Sequence, residues 1–294
     1  MGYDCDKNVT IKYFNIYFSG DKWVCVPKKD LEECFSGETD VRATTFVEGF
    51  GRTFLTALDR ATMFSRQYGH RIIMFDWPTY RPNLKNGKNY RLTVKESSTL
   101  SPYFAQFINE LYLYKNDHPN TFKSISLLMH SMGNLLMMHA VKQDHLKVKD
   151  TLFCSYIMTS SCVPQKNHKE WVEKINIQKK LYITSNNRDR TLNGAKLISG
   201  FKRQLGERPK KPFASNALYL NFNLVLDREH NYFLYPSVLR RKPYIKDLFK
   251  LLLIGQEPDF NDENRYIKKP KHNTIELFDL EEAQKGGISL GVGM

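Results

Sequence analysis

Three residues far apart along the chain, Ser131, Asp189 and His230, are of the types that nucleophilic catalysis needs. A serine hydroxyl is a weak nucleophile until a base removes its proton. An imidazole can do this near neutral pH, and a carboxylate can hold the ring in the useful tautomer. In this reading Ser131 attacks, His230 acts as base and then as acid, and Asp189 orients His230. The intermediate carries an oxyanion, which backbone N–H groups must already face. Those of Phe50 and Met132 are the candidates. Gly49, Trp77 and Arg188 are expected around the substrate. Other residues compete for these roles. His130 adjoins the serine, but a tight turn should point neighbouring side chains apart. His139 falls on a helix, and His70 and His118 fall at helix ends on the opposite edge. Asp76 also follows a strand and is the alternative to Asp189.

The serine has these prospects because of where it stands. Ile125 to Met129 is an apolar run of strand length, His130-Ser131-Met132-Gly133 turns, and a helix resumes over Asn134 to Gln143. A serine on a sharp strand-to-helix turn is the signature of a nucleophile elbow. Small residues two positions either side relieve the crowding there. Gly133 supplies one, whereas Met129 stands where the other belongs.

The remaining elements alternate. Residues 8–18 and 22–27 read as an antiparallel hairpin, and 28–39 as a charged link with room for one helical turn. Ala43 to Val47 is a buried strand running into Glu48-Gly49-Phe50-Gly51. Thr53 to Tyr68 is a helix, with Phe54, Leu55, Leu58, Ala61, Met63 and Phe64 at helical spacing and Gly69 as its stop. Arg71 to Phe75 is a strand. Residues 79–96 are polar, Tyr-rich and basic, and read as a long loop forming a flap over the site. Ser97 to Tyr114 is a helix with Phe104, Phe107, Ile108, Leu111 and Leu113 inward. Strands follow at Leu152 to Met158, Lys180 to Ile183 and Ala217 to Val225, with helices at Thr191 to Gln204 and Ser237 to Gly255. From Glu257 a charged, Gly-rich tail is expected to be poorly ordered. This order predicts one α/β domain over residues 1–255: a mostly parallel sheet between helices, with an N-terminal antiparallel hairpin. In such sheets the active groups gather beyond the carboxyl ends of the strands. Ser131, Asp189, His230 and the Glu48–Gly51 turn all fall there.

Composition narrows the partners. Lys and Arg number 44 against 31 Asp and Glu, a formal charge of +13, which favours an anionic partner or substrate. No nucleic-acid motif is visible, because the basic residues lack regular aromatic interleaving. The five cysteines are odd in number and show no C-x-x-C spacing, which argues against a disulfide scaffold or a zinc site. The N-terminus is polar and charged, with no secretory signal, and Met1-Gly2 only faintly suggests a myristoylation start because Asp6 stands where Ser or Thr is wanted. The run around Leu127 to Met138 is too interrupted to span a membrane. A cytoplasmic protein is expected, with no cofactor and no bound metal. Nothing in the sequence speaks to oligomeric state.

Five short stretches together carry a resemblance. They are Phe46-Val47-Glu48-Gly49-Phe50, Phe75-Asp76-Trp77-Pro78, His130-Ser131-Met132-Gly133-Asn134, Tyr182 to Asp189, and His230-Asn231-Tyr232. In this order they resemble the α/β-hydrolase fold, and more narrowly the bacterial α/β hydrolases long grouped as a domain of unknown function, over roughly residues 43–236. The resemblance implies a three-layer α/β sandwich, Ser131, Asp189 and His230 as a triad, and a serine esterase-like activity without a cofactor. One departure has a physical consequence. Glu48 replaces the histidine that usually precedes the oxyanion glycine, and a carboxylate there repels an oxyanion unless it is turned away or paired with an arginine. Two functions follow as expectations. The first is a serine hydrolase that cleaves an ester, thioester or amide of an anionic or lipid-like acyl substrate. The second is a hydrolase scaffold that has lost catalysis and binds an anionic partner, either nucleic acid or a membrane surface.

Overall fold

The computed structural model describes residues 10–200, 202–269 and 273–278. Cys5, the Met1-Gly2 start, the first residues of the expected hairpin and the Gly-rich end lie outside them. Strands β1 (Tyr13–Ser19) and β2 (Lys22–Lys28) form the expected hairpin as a separate two-stranded sheet. Its two-residue turn, Gly20-Asp21, has φ of 52° and 65°, the doubly positive geometry that matches strand twist. Helix α1 (Leu31–Phe35) follows, capped by the Asp30 side chain.

The main sheet has eight strands. They are β3 (Val41–Val47), β4 (Arg71–Phe75), β5 (Phe122–His130), β6 (Phe153–Thr159), β7 (Gln178–Ser185), β8 (Leu218–Asn221), β9 (Tyr266–Lys269) and β10 (Thr274–Leu277). Their spatial order is β4-β3-β5-β6-β7-β8-β10-β9, and every neighbouring pair is parallel except β9 with β10. The connecting helices are α2 (Phe54–Tyr68), α3 (Asn86–Asp117), α4 (Asn134–Lys142), α5 (His168–Val172), α6 (Arg190–Ile198), α7 (Pro236–Arg241) and α8 (Pro243–Leu253). Side chains alternate across a strand, so a strand buried on both faces reads as a continuous apolar run. In β5, Ile125, Leu127 and Met129 join the core beneath α3 and α4, while Leu128 joins the opposite core with Phe64 of α2 and Phe249 of α8. In β7 the same split sends Leu181 and Ile183 one way and Tyr182 the other. Three layers result, as expected.

Four expectations change. Residues 86–96 are not a flap but the first turns of α3, which runs unbroken for 32 residues. Their buried positions Asn89, Tyr90, Thr93, Ser97 and Ser101 keep helical spacing, but most are small and polar, so a search for apolar periodicity passes over them. Asn89 ties the preceding turn down. Its Nδ2 donates to the carbonyls of Arg81 (2.8 Å) and Leu84 (3.0 Å), and its Oδ1 accepts from the Arg81 N–H (3.0 Å). Pro102 sits inside α3, and the Ser98 carbonyl that its missing N–H would strand accepts from Ser101 Oγ at 2.9 Å. Second, the segment after Glu257 is not all tail, because β10 pairs with β8 and buries Ile275 and Leu277. Third, the expected helix at 237–255 is split between α7 and α8, each with proline in its first turn, and α6 ends at Ile198. Fourth, Phe54, Leu55 and Leu113 stay exposed although they share helical spacing with buried neighbours.

The buried Asn89 side chain generates a prediction. Asn89→Ala leaves three backbone groups of residues 81–84 without their partner, and net losses near 1 kcal/mol per hydrogen bond put the cost at about 2–3 kcal/mol. Thermal unfolding of the variant should show Tm lowered by several degrees. An unchanged Tm would mean the turn is held by other contacts.

Candidate functional site

The turn after β5 is as tight as the sequence requires. Ser131 has φ of 52°, left-handed backbone that a side chain adopts only under constraint, and residues 131–133 form one 3-10 turn before α4. Two glycines make this possible by letting backbones touch. A Cβ on Gly133 would lie 2.8 Å from the Val47 carbonyl oxygen and 3.0 Å from that of Glu48. A Cβ on Gly49 would lie 2.6 Å from Ser131 Cβ and 3.2 Å from the Met132 nitrogen. The exits of the adjacent strands β3 and β5 therefore cross in direct contact. Asn134 fixes the elbow from below. Its Nδ2 donates to the carbonyls of Met129 (2.9 Å) and Ser131 (3.1 Å), and its Oδ1 accepts from Tyr156 OH (3.1 Å). Met129 does not crowd the turn, because its side chain lies in the core beneath α3 and α4.

Asp189 and His230 meet as expected. His230 Nδ1 lies 2.7 Å from Asp189 Oδ2. The other carboxylate oxygen accepts from the N–H groups of Thr191 (2.9 Å) and Leu192 (3.0 Å), so Asp189 is also the N-cap of α6. Capping and ring contact together hold this fully buried carboxylate in one rotamer. His230 is anchored through its backbone, where its carbonyl accepts from Ser160 Oγ at 2.8 Å. Ser160 is itself at φ 44°, and two residues on, the Cys162 N–H donates to the Ser131 carbonyl at 3.0 Å. The turn leaving β6 thus touches both Ser131 and His230. Among the described residues no hydrogen bond joins the Ser131 hydroxyl to His230. Catalytic contacts of this kind commonly tighten only when substrate binds.

Sequence reasoning set His130 aside and marked Glu48 as a departure, and both are buried at the exits of β5 and β3. Glu48 is buried and fully engaged. Its Oε1 accepts from the Gly49 N–H (2.8 Å) and lies 2.6 Å from His130 Nδ1, and its Oε2 is paired with Arg60 Nε. Of the two ways a carboxylate could be tolerated beside an oxyanion loop, the chain uses pairing with an arginine. Burial alone would raise the Glu48 pKa, but His130, Arg60 and the Gly49 N–H outweigh it and hold the carboxyl well below its usual range. Burial drives the His130 pKa down to about 4 against the pull of Glu48, leaving a neutral ring with Nδ1–H as donor. That ring packs 4.7 Å from the His230 ring. The signal was present in the sequence as a carboxylate and an imidazole at the exits of adjacent strands. Arg60, nearly two turns into α2, could not be singled out from its helical setting.

The other expected residues divide. Trp77 is buried, and its indole N–H donates to the Glu48 carbonyl at 2.9 Å, so it braces the loop. Arg188 is exposed, with its guanidinium 3.2 Å from Asp227. Asp76 ends β4, the edge strand, with β3 between it and the elbow strand. His70 is buried and bonded to Thr44 Oγ1 at 2.8 Å. Among the described residues no group of three or more His, Cys, Asp or Glu could hold a metal ion, and no helix is long and apolar enough to cross a membrane.

Comparison with known proteins places this geometry. No curated protein matches the chain. Among solved structures the chain is similar to a double mutant of the esterase rPPE, with TM-score 0.40 and 8% identity over 86% of this chain and 84% of that one. It is also similar to a thermostable esterase from Pseudomonas putida, with TM-score 0.39 and 9% identity over 84% and 81% of the two chains. A lipase/esterase from Lactobacillus plantarum gives TM-score 0.36 and 9% identity, over 83% of this chain and 100% of that one. Likenesses this distant carry nothing about activity. The model of a family described as alpha/beta hydrolase of unknown function (DUF900) matches residues 26–225, more than half of the 294 residues, a span that includes Ser131 and Asp189 and ends before His230. With its strand order, its elbow and that match, the chain belongs to this alpha/beta hydrolase family.

Proposed function

We propose that the protein is a serine hydrolase that cleaves an ester, thioester or amide through an acyl-enzyme, using Ser131, His230 and Asp189. The observation that carries this reading is the 2.7 Å contact between His230 Nδ1 and Asp189 Oδ2, beside a serine held at φ 52° on a strand-to-helix turn. Asp189 accepts a hydrogen bond from Nδ1–H, which leaves His230 Nε2 as the basic nitrogen. That nitrogen takes the proton of Ser131 as Oγ attacks the acyl carbon, and returns it to the leaving group. Water then repeats the sequence and frees Ser131.

The oxyanion would be met by the N–H groups of Phe50 and Met132. Support comes from the close crossing of their loops and from Glu48, which takes the neighbouring Gly49 N–H for itself. Because Arg60 balances the Glu48 charge, the loop does not present a bare carboxylate to the developing anion. An anionic or lipid-like acyl substrate fits the charge of the chain. A cleft lined in part by Arg203, Arg208, Lys210 and Lys211, with Glu207 and Glu276 among them, lies apart from Ser131, Asp189 and His230, none of which lines it. Gly49 would lie against the bound acyl group and Arg188 nearer the solvent.

Two outcomes test the reading. Wild-type protein should be labelled by a fluorophosphonate probe and hydrolyse short p-nitrophenyl esters, and Ser131→Ala should abolish both. An unlabelled wild type that still binds anionic vesicles or nucleic acid in a salt-dependent way would replace this reading with that of a non-catalytic scaffold. Asp189→Asn should lower kcat by about 10³- to 10⁴-fold through the wrong His230 tautomer. It should also lower Tm modestly, because an amide is a weaker partner for the start of α6. Gly133→Ala should remove labelling as well, since the added methyl meets backbone carbonyls at 2.8 and 3.0 Å that have no room to yield.

A further inference from the structure

The Arg60 guanidinium makes contacts that a charge partner for Glu48 would not need. Its Nε pairs with Glu48, its Nη2 donates to Asn231 Oδ1 at 2.7 Å, and its Nη1 donates to Tyr235 OH at 3.3 Å. The carbon of the guanidinium also lies 5.6 Å from the Tyr235 ring centroid. One planar group therefore joins three pieces of chain: helix α2, the loop after β3 that holds Gly49 and Phe50, and the segment that follows His230. Asn231 is the next residue after His230, and Tyr235 opens α7. The link returns by a second route. Glu48 Oε1 lies 2.6 Å from His130 Nδ1, and the His130 ring is flanked by His230 at 4.7 Å and Phe233 at 5.2 Å.

Resting on the serine-hydrolase reading above, we propose that Arg60, acting through Glu48 and Asn231, is a positioning residue that sets the oxyanion loop and the general base at a fixed separation. The two groups come from loops 180 residues apart in the chain, counting from Phe50 to His230, and no backbone hydrogen bond joins those loops among the described residues. Their relative placement must therefore be held by side chains. A guanidinium suits this task because its donors are fixed in a rigid fork, so binding Glu48 on one edge dictates where Asn231 can sit on the other. The buried, neutral His130 completes the arrangement as an uncharged spacer between the Glu48 carboxylate and His230. The groups with charge or a titrating proton around His230 are then Asp189 on its Nδ1 side, His130 against its ring, and the Arg60–Glu48 pair behind His130.

Displacement by about 1 Å at a reacting group can cost about 100-fold in rate. Asn231→Ala keeps the buried ion pair and the Tyr235 contact and cuts the shorter of the two links from Arg60 to the segment after His230. It should lower kcat and the rate of fluorophosphonate labelling at Ser131 by roughly 10- to 100-fold, with KM within about twofold and Tm near the wild-type value. Arg60→Lys keeps the charge and loses the fork, and should show the same split. Should Arg60→Lys fail to fold, the paired change Glu48→Gln with Arg60→Met removes both buried charges and should fold while remaining slow. Asparagine variants that label and turn over at the wild-type rate would overturn the proposal and leave the hydrolase reading intact. If wild type is never labelled, the hydrolase reading fails, and the tether is judged by NMR titration of the His230 ring in wild type and in Asn231→Ala. A shifted titration supports positioning of the ring, and superimposable curves refute it.

Discussion

Backbone of two neighbouring strands crosses without side chains between, and the site depends on that crossing. The chain leaving β3 lies so close to the chain leaving β5 that a methyl group on Gly49 or Gly133 would meet an atom within 3 Å. Only bare backbone fits. The consequence is geometrical: Gly49 comes beside Ser131 and Met132, which their separation along the chain would never bring about. The strained φ of Ser131 is held in place by the same contact and by the Asn134 side chain beneath it. Strain of this kind, about 1–3 kcal/mol, persists only where the surroundings over-determine the conformation.

Close approach of backbone leaves polar groups in a dry place, and the chain answers with a carboxylate. Glu48 satisfies the Gly49 N–H, the His130 N–H and the Arg60 guanidinium at once. Moving an isolated carboxylate into such surroundings would cost several kcal/mol, so the charge is tolerable because each oxygen has a donor. The result is an anion two residues before Phe50, one of the proposed oxyanion donors, and paired with Arg60. The same group that makes the loop unusual also keeps the Gly49 amide occupied.

Asp189 shows comparable economy. One carboxylate oxygen begins helix α6 and the other meets His230. In the proposed mechanism, a side chain with both roles has no rotamer freedom to lose, which favours a preorganised base. Neighbouring turns follow this scheme. Ser160 holds the His230 carbonyl, Thr184 receives the Ser160 N–H, and Gly206 packs its bare Cα side against Ser160 and Ser161. The rim beyond the strands is a set of turns that fix one another, more than a loose collection of loops.

Local pattern alone determined much of this. The change from strand to helical periodicity around Ser131, with glycine two residues on, is a property of ten residues and needs no distant partner. Alternation of buried strands with helices likewise follows from apolar spacing, and it put Ser131, Asp189 and His230 at one end of the sheet. Other features were invisible for physical reasons. The first turns of α3 bury Asn89, Thr93 and Ser97, whose polar side chains are satisfied by the backbone of residues 79–84 and by their own helix. Strands β9 and β10 are four residues each and become strands only by pairing with each other and with β8. Arg60 reads as one more charge on an amphipathic helix until the fold brings Glu48 and Asn231 to it. Chain-local preferences set which segments are strands, helices and the elbow. Which buried polar groups face one another was decided by the assembled layers alone, because a hydrogen bond between residues 60 and 231 has no expression in the neighbourhood of either.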